Sequence, residues 1–139
     1  MSQTITLELP DRFFLPVQRT AKAVNSPIET LLLKALQNSL PPLDGLPDDV
    51  FNELTTLENL GNDELLQILR QTVPTNVQTK ISTLLIKNNE SKLTDSEKST
   101  LINLQKQADL VMLRKARSAV LLRFRGQRLP TLAELQLIK

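Results

Sequence analysis

Between residues 41 and 47 the chain reads Pro41-Pro42-Leu43-Asp44-Gly45-Leu46-Pro47, with three prolines and one glycine in seven positions. No regular element crosses such a stretch, because each proline lacks the amide that a helix or a central strand needs and displaces the residue before it from the helical region. The architecture must therefore be assembled on either side, as a segment of residues 1–40, a linker of 41–47 and a segment of 48–139. A chain of 139 residues divided in this way is too short for most large enzyme folds.

Composition narrows the chemistry further. Aromatic residues make up 3% of the chain, with no Trp and no Tyr, so the core must come from Leu, Ile, Val and Ala, which favours helices. Cys and His are both absent, which removes disulfides, thiolate and imidazole metal sites and the usual nucleophiles and general base. Gly45, Gly61 and Gly126 are the only glycines, too few and too scattered for a P-loop or a dinucleotide fingerprint. These absences predict a protein that is not an enzyme, takes no cofactor and binds no small-molecule substrate. The opening residues MSQTITLELP lack a basic stretch followed by an apolar run, and no window approaches the roughly 18 apolar residues of a membrane span. The expectation is a cytoplasmic protein with no membrane partner.

In the N-terminal segment, residues 3–9 alternate strictly, with Ile5, Leu7 and Leu9 on one face and Thr4, Thr6 and Glu8 on the other, as in a half-buried strand. Nothing else in the chain alternates, so such a strand would pair with its copy in a homodimer. Pro10-Asp11 ends it and opens a helix carrying Phe13, Phe14, Val17, Ala21 and Val24, with Pro16 either in its first turn or at a kink. Asn25 suits a left-handed turn. Ser26-Pro27-Ile28-Glu29 then reads as a capping box for a second helix, from Pro27 to about Leu40, with Ile28, Leu31, Leu32, Ala35 and Leu36 on its apolar face.

This succession over residues 3–40 resembles the ribbon-helix-helix family of Arc and Met repressors and many antitoxins. The carriers are the alternation at Ile5, Leu7 and Leu9, the stop at Pro10-Asp11, Phe13, Phe14, Val17 and Ala21, the turn at Asn25-Ser26, and Leu31, Leu32, Ala35 and Leu36. The resemblance implies a mainly α protein whose one strand pairs across a dimer, with Ile5, Leu7, Leu9, Leu32 and Leu36 in the dimer core. It also implies that Thr4, Thr6 and Glu8 read base edges of double-stranded DNA, with the second helix's first amides, near Ser26 and Ile28, against a phosphate.

The C-terminal segment reads as helical throughout, with starts at Asp48 or Asp49, Asp63, Pro74-Thr75 and the capping box Thr94-Asp95-Ser96-Glu97, and a last turn at Thr131. The longest helix spans roughly Asp95 to Arg125 and is closed by Gly126. Its end is similar to the C-terminal helix of small uncharacterised bacterial, especially cyanobacterial, proteins. Residues 41–70 carry seven acidic side chains against Arg70, net −6, and residues 101–139 carry eight basic ones against Asp109 and Glu134, net +6. Asp48, Asp49, Asp63 and Glu64 suit helix starts, and Asp49 with Glu53 would share a helix face as a carboxylate pair. The basic tract of Arg114, Lys115, Arg117, Arg123, Arg125 and Arg128 admits three readings: stems packed beside the acidic block, a phosphate-binding patch, or a docking face for an acidic protein. Together these features predict a dimeric DNA-binding regulator or antitoxin-like protein whose C-terminal helices bind a partner such as a cognate toxin. The alternative is a dimeric helical adaptor that binds no DNA.

Overall fold

The computed structural model describes residues 2–131 and 133–134. Among them are six α-helices, α1 (Asp11–Ala23), α2 (Ile28–Ser39), α3 (Asp48–Thr56), α4 (Asn62–Arg70), α5 (Thr75–Asn89) and α6 (Asp95–Phe124), with a 3-10 turn at Leu57–Asn59. The chain divides into two compact units, residues 1–42 and 43–139.

The expected ribbon is not there. Residues 3–9 form no strand, the described residues contain none, and the fold is all-helical rather than ribbon-helix-helix. The physical reason lies in the pattern itself: alternation marks which side chains a strand would bury, but a ladder needs a second backbone, and none of the described residues pairs with residues 3–9. The expected dimer-core residues Ile5 and Leu7 are 84% and 70% exposed, Leu9 is half-buried, and Thr4, Thr6 and Glu8 are exposed.

In unit 1, α1 begins directly after Pro10 and continues past Pro16, so Pro16 lies inside the helix and not in its first turn. Its carbonyl accepts a 2.9 Å hydrogen bond from the Thr20 hydroxyl. The turn to α2 is a Schellman motif: Asn25 takes φ 54°, its N–H donates to the Lys22 carbonyl, and the Ser26 N–H donates to the Ala21 carbonyl. Ser26 therefore finishes α1 rather than capping α2, whose cap residue is Pro27, with no side-chain hydrogen bond. The predicted capping box at Ser26 to Glu29 does not form. Ala21 is the one buried side chain of α1 and α2.

Unit 2 is built along α6, which packs chiefly against α4 and α5 and less extensively against α3. Its buried apolar residues are Leu54, Leu57, Leu65, Ile68, Leu69, Leu84, Leu101, Leu121 and Leu122, a largely leucine core of the kind the aromatic-poor composition requires. The ends of α5 and α6 repeat the chemistry of the α1 end. Ser91 (φ 57°) and Gly126 (φ 83°) are left-handed, and the N–H groups of Lys92 and Gln127 reach back to the Lys87 and Leu122 carbonyls.

The start of α6 is held by a complete capping box, in which the Glu97 N–H donates to Thr94 Oγ1 at 3.1 Å and the Thr94 N–H donates to Glu97 Oε1 at 3.3 Å. Lys87 Nζ of α5 donates to Glu97 Oε2 at 2.8 Å and closes the α5–α6 hairpin. The lysine hydrogen bond, then the Thr94 amide, lowers the Glu97 pKa below its ordinary 4.5. A depressed carboxylate stabilises the fold above the ordinary carboxylate range, and that contribution fades as the pH falls through the lowered value. Carboxyl NMR should place the Glu97 midpoint below 4.5, and Lys87→Ala should move it upward. An unchanged midpoint in the variant would show the lysine contact to be absent in solution.

Candidate functional site

The oppositely charged blocks of unit 2 meet. Leu121 and Leu122 of α6 are buried, as are Leu54 of α3 and Leu57 of the 3-10 turn, and α6 contacts both of those elements, so its arginines lie within reach of their acids. Arg114 Nε stands 3.7 Å from Glu53 Oε1, and Arg117 Nη2 stands 3.7 Å from Glu58 Oε1. At that separation the attraction is Coulombic rather than a hydrogen bond. Arg117 is 8% exposed, so its stem is core and its charge is held next to a half-exposed carboxylate. Beside it, Ser118 is fully buried.

Arg125 makes a different contact. Its Nη1 donates to the Leu60 carbonyl at 2.7 Å and to Asn62 Oδ1 at 3.1 Å, and its Nη2 donates to the Glu58 carbonyl at 3.0 Å. One guanidinium thus satisfies carbonyls left open where the 3-10 turn ends and ties them to the start of α4. No sequence signal marks this role, since the spacing of 65 residues between Arg125 and Leu60 is set by the packing alone.

Of the six residues of the basic tract, Arg114, Arg117 and Arg125 are therefore engaged with unit 2's own acids and carbonyls. Arg128 pairs with Glu134 at 2.9 Å on the surface, Lys115 is half-buried and Arg123 is exposed. In unit 1, Ser26 and Ile28 are half-buried and border a shallow cleft with Lys22 and Gln18. Thr4, Thr6 and Glu8 lie in the segment before α1, which forms no strand, so the ribbon expected to carry them is absent.

Two surfaces remain open. One is the apolar surface of unit 1, where Phe13, Leu15 and Val24 of α1 and its C-cap and Leu32, Leu33 and Leu36 of α2, spread over more than one side of their helices, are all more than a third exposed. The other is a cleft of about 420 Å³ between the start of α3 and the middle of α6, walled by Pro47, Val50, Leu110 and Leu113. Among the described residues no three acidic side chains come together as a metal site, and no helix is long and apolar enough to cross a membrane. Of Asp49 and Glu53, Glu53 lies 3.7 Å from Arg114 and Asp49 lines the cleft.

Comparison of the chain with protein-family models, with curated proteins and with solved structures finds no match.

Proposed function

We propose that the chain is a self-associating helical adaptor, in which unit 1 pairs with the same unit of a second copy to form a homodimer and unit 2 presents a protein-docking surface. The observation that carries this reading is the mismatch inside unit 1: its two helices bury Ala21 alone while eight large apolar side chains, including Ile5 and Leu7, stay exposed. A unit of about 40 residues sits at the size where one chain rarely closes a core unaided. Covering those side chains with a second copy contributes on the order of 10 kcal/mol per copy, comparable with the roughly 4–15 kcal/mol cost of association.

A DNA-binding regulator or antitoxin needs phosphate contacts. With Arg114, Arg117 and Arg125 engaged within unit 2 and Arg128 paired with Glu134, the tract leaves Lys115 and Arg123 for that role. The adaptor reading needs no such contacts. Sedimentation velocity on the full chain at micromolar concentrations, with a duplex of random sequence in a parallel run, tests it. The expected result is a dimer that does not co-sediment with DNA at physiological salt. A monomer that keeps its helical circular dichroism would overturn the dimer, and a salt-sensitive DNA complex would favour the regulator.

A further inference from the structure

We infer that the cleft between the start of α3 and the middle of α6 is a docking groove for an amphipathic helix that carries apolar anchors and a basic flank. The geometry begins with the ion pairs. Glu53 meets Arg114, and farther along both helices Glu58 meets Arg117, so α3 and its continuation advance along α6 in the same sense. The cleft lies one turn before the first of these pairs, where α3 begins and the seam is not yet closed. Its walls are apolar, with Val50 from α3 and Leu110 and Leu113 from α6, and Leu113 is 38% exposed.

Charge decides what can cover it. Asp49 stands on the α3 wall and Asp109 on the α6 wall, with Asp48 next to the first, and none of the three has an ion-pair partner among the described residues. Lys106 is the single cation on the rim. A nucleic acid or an anionic membrane surface meets repulsion there. A small polar ligand finds carboxylates but no converging set of donors and acceptors to orient it. An amphipathic helix with apolar residues at i, i+3 or i+4, and i+7 fills a trough between two helices, and a lysine or arginine at its flank answers Asp49 or Asp109. This inference rests on unit 2 being the docking half of the adaptor and is independent of whether unit 1 dimerises.

The test uses the full chain and two fluorescein-labelled helical peptides of about four turns, identical in their leucine face, one flanked by lysines and the other by glutamates. Anisotropy titrations should show the lysine peptide binding at least roughly tenfold tighter than the glutamate peptide, about the preference expected of one partly desolvated charge pair. Asp49→Asn with Asp109→Asn, at exposed positions that leave the fold intact, should reduce that preference to under about twofold. Leu110→Glu should weaken both peptides. If the lysine peptide binds but its preference survives the double substitution, docking occurs elsewhere on the adaptor and the groove is wrong. If neither peptide binds, the groove is wrong as well, and the adaptor reading is then judged separately on the sedimentation result.

Discussion

Leu32→Asp combined with Leu36→Asp is expected to leave the chain monomeric at concentrations where the unsubstituted chain is a dimer, with association weakened by roughly a hundredfold or more, about 3 kcal/mol. The two positions lie one turn apart on α2 and are 37% and 50% exposed. Their exposure makes the experiment decisive. On a true surface, two leucine-to-aspartate changes fall within about 0.5 kcal/mol each and alter neither folding nor association. At the centre of a paired face they place four carboxylates per dimer in an apolar setting with no cations aligned to meet them. Lys34 is the one cation within α2, and it sits between the two positions rather than on their face. Unit 2 has its own leucine core, so its thermal transition should persist in the variant while helicity from α1 and α2 declines. Sedimentation and circular dichroism on the same samples read both effects. A variant that still sediments as the dimer would move the contact to another face.

The sequence made some of this readable and hid the rest for identifiable reasons. Helix ends carried by local chemistry were visible: the Thr94-to-Glu97 capping box, Gly126 at the end of α6 and Asn25 at the end of α1 all act through hydrogen bonds within a few residues. Ser91 was not visible, because serine has no special ease in the left-handed region and takes φ 57° here only because the Schellman bonds to α5 require it. The alternation at residues 3–9 misled for the opposite reason. It is a local pattern whose structural meaning depends wholly on a partner backbone, and the described residues provide none.

The charge blocks belong to a middle case. Net −6 over 41–70 and net +6 over 101–139 are plain in the sequence, but whether they meet depends on the leucines that seat α6 over α3. Arg114 and Arg117 meet Glu53 and Glu58 only once α6 is packed against α3 and the 3-10 turn, and Arg125 reaches carbonyls that no side-chain pattern could announce. The open cleft has a similar origin. The helix α6 is 30 residues long and apolar on more than one side, while α3 has nine residues, so the short helix covers only part of the long one's leucines. Which leucines stay uncovered follows from relative length and register, and these emerge only when the helices are packed.

Arg117→Glu is expected to destabilise unit 2 by about 3–5 kcal/mol, the cost of leaving an uncompensated charge at a buried site. The side chain there is 8% exposed, and the introduced carboxylate would face Glu58, now 3.7 Å from the guanidinium, as a like charge. For a unit of about 100 residues, each kcal/mol moves the midpoint by about 4–8 °C, so a loss of this size lowers the melting temperature by well over 10 °C. The pH dependence has a definite sign. Burial and the neighbouring Glu58 hold the introduced carboxyl above its ordinary pKa in the folded chain, so its protonated form is favoured by folding. The difference from the unsubstituted protein should therefore shrink as the pH falls through that raised value and grow as it rises again. Arg117→Met separates charge from packing. It keeps an apolar stem in the same volume and releases Glu58, which is half exposed, to water. Its loss should be clearly smaller than that of the glutamate variant. Equal losses in the two variants would mean that the position matters only for its volume, and the electrostatic account of the α3–α6 seam would then fail.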